Sequence, residues 1–250
     1  MGTPWDRPAA RYLEEWVPRF VPYHLDLVQE LALARGQRVF VASAGPGAEV
    51  LAVARAVGDR GAVRATDGSG EFVGVCDEQV KKAGFTSVTC EKTGPEDVGA
   101  GNWNAIVCAF GLWRIPDRTG VLKRWAGALV PSGKVGVLTF GPPDDTDPFT
   151  MLAQALRELE PNAEATPAGV PSDRESMGKM FEEAGLVLVR HTVLRHTITF
   201  PSAEAFTSAI REGRTWGRVW EELGPERMGQ VTARFYDRLG GPTEPLSFEP

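Results

Sequence analysis

Hydrophobic positions along the chain alternate between short continuous runs and stripes at helical spacing. Five runs have the length and composition of buried or half-buried strands: 39–42, 62–66, 87–91, 104–109 and 135–140. The segments between them carry apolar residues three and four positions apart, which is the pattern of an amphipathic helix. Strands that alternate with helices predict an α/β fold with a doubly wound, mostly parallel sheet. In such sheets, ligands bind outside the carboxyl ends of the strands.

Most of the remaining chain is predicted to be helical. We expect one domain over 1–250, with helices in 1–37, a core in 38–140, and an insertion, a late strand and further helices in 141–250. A long β-type run covers 186–200, and Ser172 with Glu175 has the spacing of a capping box at a helix start. Within the closing residues, 246–249 are the segment that could supply a last antiparallel strand.

Composition limits the kinds of partner. The net charge is −6 and no cluster of Lys and Arg occurs, so nucleic acid is a disfavoured partner. No apolar run approaches the ~18 residues of a membrane span, and the first residues lack the layout of a signal peptide. We therefore expect a cytoplasmic protein with a small-molecule substrate and no membrane partner.

Three cysteines, Cys76, Cys90 and Cys108, fall inside predicted helices and strands. Their spacing matches no metal site, and their number is odd. We expect three buried, reduced thiols and no metal centre.

A turn of small residues, 43–47, follows the first predicted strand, and Asp67 ends the second strand about 20 residues after Gly47. Glycines let a backbone approach a ligand closely, and the following helix offers free N–H groups. A carboxylate at this distance can accept hydrogen bonds from both ribose hydroxyls, so the pattern indicates a nucleoside site. The alternative is an ordinary strand–helix–strand unit whose glycines serve only as turns. Glu49 and Val50 follow where G-x-G-x-x-G requires its last glycine, which argues against a nicotinamide or flavin enzyme.

His24 lies on the apolar face of a predicted helix together with Phe20, Leu27, Val28 and Leu31. It is either a core histidine with a hydrogen-bond partner or a base that faces a pocket. The other two histidines interrupt the β-type run, where solvent exposure is expected.

Taken together, these segments resemble the class I S-adenosylmethionine-dependent methyltransferases, above all the ubiquinone/menaquinone-type and natural-product small-molecule enzymes. The resemblance runs from Trp5 to about Leu239. It is carried by V-F-V-A-S-A-G-P-G, G-A-V-R-A-T-D-G-S, N-W-N-A-I-V-C-A-F-G-L-W-R-I-P-D-R and A-L-V-P-S-G-K-V. It implies the class I methyltransferase fold with an N-terminal helical lid and a C-terminal helical cap, and S-adenosylmethionine as the cofactor.

The resemblance also implies roles for particular residues. Around the methionine part of the cofactor it places Ser43, Ala44, Gly45 and Gly47; at the ribose, Asp67; at the adenine, Gly68, Gly94, Pro95 and Glu96; along the path to the sulfonium, Ala109 and Phe110; towards the substrate, Tyr12, Trp113 and Arg114. His24 is the first candidate for a general base. The chain departs from the family pattern where Val41 replaces an acid, Ser43 a glycine, and Gly94 and Asn104 an aspartate.

The function implied is methyl transfer to a small hydrophobic metabolite such as a phenol, a quinone or a polyketide-like compound, in natural-product biosynthesis. Transfer to oxygen is slightly favoured over carbon or nitrogen. Because several polar contacts of the family are missing, the alternative is a repurposed fold that acts as a cyclase, an isomerase or a non-methylating binding protein.

Overall fold

The computed structural model describes residues 9–142, 144–163, 170–211 and 213–250. The chain divides into two compact units. We call the first the sheet unit; its main described parts are Phe20–Phe140 and Val170–Leu194. The second, the helical unit, comprises Ala10–Arg19, most of residues 141–163 and Arg195–Pro250.

A five-stranded parallel sheet forms the sheet unit. Its strands are β1 (Arg38–Ala42), β2 (Ala62–Asp67), β3 (Val88–Lys92), β4 (Trp103–Ala109) and β5 (Leu129–Leu138). All neighbours are parallel, and the order is β3-β2-β1-β4-β5. This confirms the predicted doubly wound sheet. The strand order reverses between β1 and β4, and the carboxyl ends of these strands therefore flank the crevice where such sheets bind ligands.

Nine helices connect or flank the strands in the described part of the chain. They are α1 (Ala9–Glu15), α2 (Val17–Leu31), α3 (Ala48–Val57), α4 (Gly70–Lys82), α5 (Arg118–Ala128), α6 (Pro148–Leu159), α7 (Arg174–Glu183), α8 (Ala203–Arg211) and α9 (Arg214–Leu239), which is interrupted at Gly224. A 3-10 helix covers Leu112–Arg114. None of the helices described is long and apolar enough to cross a membrane.

The core of the sheet unit is built on strands buried on both faces. The side chains of 39–42 and 105–109 are almost fully buried, as expected for the centre of a parallel sheet. Phe40 and Ile106 pack with Trp125 of α5 and Phe181 of α7 in one hydrophobic cluster. The helices α3 and α4 contact the strands β1, β2 and β3.

The helical unit has an aromatic core of its own. The rings of Trp16, Phe149, Phe200, Phe206 and Phe248 contact one another in tilted and edge-to-face arrangements. Helix α9 packs against α6 and α8. Two short antiparallel strands, β6 (Ile198–Phe200) and β7 (Leu246–Phe248), form a separate sheet.

The β-type run predicted over 186–200 is wrong for most of its length. Only Ile198–Phe200 forms a strand, and 186–197 have no regular structure. Leu186 and Leu188 pack against the core cluster, whereas Val187 and Val189 are more than 80% exposed. The alternation that predicts a strand is present, but among the described residues no strand pairs with 186–197, and pairing is what a strand requires.

Three boundaries also differ from prediction. Helix α7 is capped by Asp173, whose carboxylate accepts from the Ser176 N–H, rather than by Ser172. Strand β5 begins at Leu129, before the predicted 135–140, because Leu129 already pairs with Trp103. The predicted closing strand exists as β7 but pairs with β6 instead of the five-stranded sheet.

Candidate functional site

The turn after β1 has the backbone of a ligand cradle. Ser43, Gly45 and Gly47 have φ values of 55°, 53° and 91°, in the left-handed region that glycine adopts readily. A Cβ on Gly47 would lie 2.7 Å from Sγ of Cys76, whereas a Cβ on Gly45 would meet nothing within 4 Å. Gly47 therefore allows the turn to pack against α4, and Gly45 borders open space.

Asp67 connects this turn to the start of α4. Its side chain is buried at the end of β2, where Oδ2 accepts from the Gly45 N–H at 3.0 Å and Oδ1 accepts from the Ser69 N–H at 2.8 Å. Each oxygen keeps a further acceptor position. A Cβ on exposed Gly68 would also meet nothing within 4 Å. The carboxylate and the open space beside it fit a ribose with two hydroxyl donors.

The loop after β3 contains three of the four residues predicted at the adenine, Gly94, Pro95 and Glu96. The carbonyl of Pro95 accepts from Nε1 of Trp125 at 2.7 Å, which fixes the loop on α5. A Cβ on Gly94 would collide with the carboxylate of Glu96, a side chain that is itself exposed. The three residues thus lie at the carboxyl end of β3, on the same sheet edge as Asp67.

The carboxyl end of β4 carries an aromatic cluster, defined here as Phe20, Tyr23, His24, Phe110 and Phe140. The Phe110 ring lies 4.9 Å from Phe20, 4.8 Å from Phe140, 6.2 Å from Tyr23 and 5.7 Å from His24, centroid to centroid. Phe110 has a φ of 50°, and its N–H donates to the Leu138 carbonyl at 2.8 Å. Ala109 is buried just before it.

Sequence reasoning placed Ala109, Phe110 and His24 near this edge but missed three members of the aromatic cluster as site residues. Tyr23 and His24 follow Phe20 by three and four positions on α2, which is the spacing of helical neighbours on one face. Phe140 is the last residue of the predicted fifth strand, and it lies just beyond the observed end of β5 at Leu138. The rule that sites form at carboxyl ends of strands contained the signal for Phe140.

Glu49 is a fourth residue that sequence reasoning missed. It lies in the first turn of α3 and is 1% exposed. Its Oε2 is 3.1 Å from Nδ1 of His24, which is 7% exposed. The angles are not those of a hydrogen bond, so the contact is a close pairing without one, and Oε1 has no hydrogen-bond partner in the described structure. A carboxylate within an otherwise apolar stripe was the available signal.

Trp113 and Arg114 lie in the 3-10 helix that follows Phe110. Nε1 of Trp113 is buried and has no hydrogen-bond partner among the described residues. The Arg114 guanidinium is 5.5 Å from the Trp113 ring. Arg118 holds this segment by donating to the carbonyls of Leu112 and Trp113, each at 3.2 Å. Tyr12 lies on α1 in the helical unit, and its role towards the substrate stays a prediction.

The cysteines differ in burial and acidity. Cys76 and Cys108 are buried, but Cys90 is half-buried, which corrects the expectation of three buried thiols. Sγ of Cys76 lies 3.1 Å from Sγ of Cys90. The hydrogen bond between them lowers the pKa of Cys90 and, with burial, raises the pKa of Cys76. Burial raises the pKa of Cys108 to about 12.

A cavity of about 230 Å³ lies at the other edge of the sheet, beside the amino ends of β1 and β4. Its lining includes Asn104 and Lys134, but the Asn104 side chain accepts from the Arg38 N–H and Lys134 donates to the Leu31 carbonyl. Both side chains thus already have a hydrogen-bond partner in the backbone. The chemistry-bearing residues instead converge on the carboxyl edge, at the strand-order reversal.

The parallel sheet, the glycine turn after β1 and the carboxylate of Asp67 at the end of β2 define a class I S-adenosylmethionine-dependent methyltransferase. The sequence profile of the ubiE/COQ5 methyltransferase family matches residues 25–156. This is just over half of the chain, and the chain belongs to that family. S-Adenosylmethionine is the cofactor. The open space at Gly45 and the acceptor positions of Asp67 fit it.

Two characterised relatives are similar to the chain. Demethylmenaquinone methyltransferase of Anoxybacillus flavithermus is 28% identical over 127 residues, which is 50% of this chain and 54% of the relative. The chain thus spans about half the length of that relative. Nocamycin O-methyltransferase of Saccharothrix syringae is 24% identical over 98% of this chain and 95% of its own length.

Solved structures agree on the fold. The YcgJ protein from Bacillus subtilis has a TM-score of 0.61 at 17% identity and covers 91% of this chain and 95% of its own. An S-adenosylmethionine-dependent methyltransferase from Aquifex aeolicus has a TM-score of 0.53 at 17% identity, with 79% and 92% covered.

Proposed function

We propose that the protein transfers the methyl group of S-adenosylmethionine to an oxygen of a small hydrophobic metabolite, such as a phenol, a quinol or an acidic polyketide. The observation that carries this proposal is His24. It is a buried histidine beside Phe110, at the carboxyl end of the strand next to the cofactor turn. A histidine there is within the set of groups that can take a proton from a hydroxyl as its oxygen is methylated.

The aromatic cluster supports a hydrophobic acceptor. The rings of Phe20, Tyr23 and Phe140 surround Phe110, whose ring also contacts His24. Flat apolar surface binds an aromatic acceptor by burial and ring stacking, and it excludes water from the reacting atoms. Indole Nε1 of Trp113 is buried and has no partner among the residues that the structure describes, so it is available to donate to a second oxygen of the acceptor.

In this mechanism the chain's own residues bind the cofactor, line the approach to its methyl group, and deprotonate and orient the acceptor. Bound S-adenosylmethionine supplies a methyl group already activated by its sulfonium. Ser43, Ala44, Gly45 and Gly47 hold the methionine part by backbone contact, and Asp67 accepts from the ribose hydroxyls. Gly68 and the loop Gly94–Glu96 border the adenine, and Ala109 and Phe110 line the approach to the methyl group. His24 accepts the proton of the acceptor hydroxyl, and Arg114 helps to orient the acceptor. These assignments follow the family resemblance and the carboxyl-edge placement of the residues.

The two relatives support the same chemistry. One is named for methylation of demethylmenaquinone, and the other, which aligns with almost the whole chain, is named as an O-methyltransferase of nocamycin. Both names describe transfer to a small molecule. For the present chain this supports a small-molecule acceptor, with oxygen favoured.

The direct test is incubation of the protein with methyl-labelled S-adenosylmethionine and a panel of phenols, quinols and polyketide-like acids. We expect label in a product O-methyl group for at least one member of the panel. Conversion of an acceptor without uptake of label would favour the cyclase or isomerase alternative. Binding of acceptors without conversion would favour the non-methylating alternative.

The assignment of His24 is tested by His24→Gln. Loss of a general base lowers turnover by ~10²–10⁴-fold, and we expect unchanged affinity for S-adenosylhomocysteine and a nearly unchanged Tm. Replacement of His191, which binds the Ser172 carbonyl, by Gln is the matched control. A His24→Gln protein that is less stable but fully active per folded molecule would make His24 a core residue.

A further inference from the structure

The Glu49–His24 pair is a buried charge arrangement that methyl transfer and cofactor binding do not by themselves explain. The Glu49 side chain is 2% exposed and that of His24 9%. Burying a carboxylate is expensive unless it is paired. Among the described residues, His24 is the partner that the structure gives Glu49.

The location of Glu49 makes its charge tolerable. It occupies the first turn of α3, where the helix dipole and free N–H groups favour a negative charge. Its negative charge is also felt by two neighbouring thiols, because it contributes, after larger effects, to the raised pKa of Cys76 and of Cys108. Asp67 acts on Cys108 in the same direction, whereas Arg114 opposes it. The carboxylate therefore belongs to the polar interior behind the cofactor turn.

The geometry assigns a direction to the imidazole ring. Nδ1 of His24 faces Oε2 of Glu49 at 3.1 Å. The two ring nitrogens point in nearly opposite directions, so Nε2 is turned away from α3. A neutral imidazole has one N–H and one acceptor nitrogen, and the partner of one nitrogen decides the state of the other.

We propose that Glu49 is the positioning residue of His24. Its carboxylate accepts a hydrogen bond from the Nδ1–H and thereby leaves Nε2 as the proton acceptor towards the substrate. This inference rests on the proposed role of His24 as a base. Hydrogen bonds of catalytic groups are often long or poorly aligned without ligand and tighten in the complex. Closure of the 3.1 Å contact into an aligned Nδ1–H···Oε2 bond is therefore expected on binding of cofactor and acceptor.

The inference is tested by ¹⁵N NMR of the imidazole groups of the natural protein. The chain contains three histidines, and the spectrum of His24→Gln identifies the signals of His24. We expect His24 to carry its proton on Nδ1 in the complex with S-adenosylhomocysteine, at the pH of maximal turnover. A proton on Nε2 alone, or on both nitrogens, would overturn the inference.

Substitution gives an independent readout. In Glu49→Gln we expect the Nδ1–H form to lose its dominance and kcat to fall by ~10–100-fold, the loss typical of carboxylates that orient histidines in metal sites. KM and the Kd of S-adenosylhomocysteine should change by less than about twofold, because the replaced atom acts through His24. Glu30→Gln is the control, since Glu30 lies on α2, the helix of His24, but is exposed and paired with Arg190.

The double variant His24→Gln/Glu49→Gln separates positioning from structure. If Glu49 acts through His24, the second substitution lowers turnover no further than the first. A further loss in the double variant, or a Glu49→Gln protein with lower stability and unchanged kcat, would make Glu49 structural. If His24→Gln alone leaves turnover intact, the proposed base fails, while the NMR state of His24 still reports whether Glu49 orients it.

Discussion

Two residues other than glycine at the site have a backbone conformation that favours glycine. Ser43 and Phe110 have φ values of 55° and 50°, and such residues cost of order 1–3 kcal/mol each when non-glycine. Ser43 stands where the resembling family has a glycine, so the structure retains the family's backbone without its residue. Phe110 is held by the Leu138 carbonyl and by the aromatic cluster around it. Both outliers lie at the edge where the cofactor and the acceptor are expected.

The two turn glycines give a matched pair of substitutions. Gly45→Ala and Gly47→Ala each force alanine into the left-handed region, at about 1–2 kcal/mol. Only Gly47→Ala also drives a Cβ into Sγ of Cys76, so we expect it to be the less stable variant in urea unfolding. Adding Cys76→Ala should recover part of that loss. Gly45→Ala should instead weaken the binding of S-adenosylhomocysteine, because the Cβ of the new alanine occupies the open space. Equal stability of the two variants would contradict the Cys76 contact.

Thiol acidity predicts an order of alkylation. The hydrogen bond from Cys76 lowers the pKa of half-buried Cys90, whereas burial raises the pKa of Cys108 to about 12. Thiolates are the reactive form, so iodoacetamide at pH 8 should modify Cys90 first, as followed by peptide mass spectrometry. In Cys76→Ala the midpoint of the Cys90 pH–rate curve should rise towards about 8.5. Cys108→Ala serves as the control, and an unchanged midpoint in Cys76→Ala would contradict the assignment.

At the scale of single elements, the helix caps predict opposite responses to pH. Asp147 caps α6 by accepting from Thr150, and Asp173 caps α7 by accepting from Ser176. Burial raises the pKa of Asp147, whereas hydrogen bonds from Ser176 lower the pKa of exposed Asp173. The stabilisation from Asp147 is thus present below the ordinary value of about 3.9 and is lost as the pH rises through its raised pKa. That from Asp173 is present above about 3.9 and is lost as the pH falls through its lowered pKa.

Asparagine preserves both caps while removing the titration. Relative to Asp147→Asn, the natural protein should lose stability as the pH rises above about 3.9 and through the raised pKa of Asp147. Relative to Asp173→Asn, it should gain stability as the pH rises towards about 4. Urea unfolding across this range measures both differences. Slopes of the same sign in the two pairs would contradict the burial of Asp147.

The elements themselves were largely predictable. Apolar runs located all five strands of the main sheet. The signal was clearest for β1 and β4, because strands buried on both faces have continuous hydrophobic sequences. The run over 186–200 failed since alternation reports a half-buried extended chain and cannot report whether another strand pairs with it. Asp173 was missed as a cap for a related reason: Ser172 and Asp173 both suit that position, and only the backbone decides between them.

At the scale of the whole molecule, the geometry of the proposed cofactor residues was easier to predict than that of the proposed acceptor residues. The turn at 43–47 and Asp67 belong to one strand–helix–strand unit, whose spacing fixes their relation. The pairing of His24 with Glu49, and the meeting of Phe20 with Phe110 and Phe140, depend on the packing of α2 on the sheet unit. Local periodicity shows which face of α2 is buried but carries no information on its partners.

Ligand binding at this edge should stabilise the protein as a whole, because a ligand that binds only the folded state shifts the unfolding equilibrium. S-Adenosylhomocysteine at 100 times its Kd should add about 2.7 kcal/mol, which a thermal melt detects, whereas NAD should add nothing. Asp67→Asn should abolish most of this shift, since Asp67 joins the Gly45 turn to Ser69 and is the residue proposed to hold the ribose. Asp97→Asn is the matched control: Asp97 is exposed in the loop after β3 and pairs with Arg64. Equal calorimetric Kd values for the two variants would remove Asp67 from the site. The absence of a stability shift in the natural protein would favour a repurposed fold.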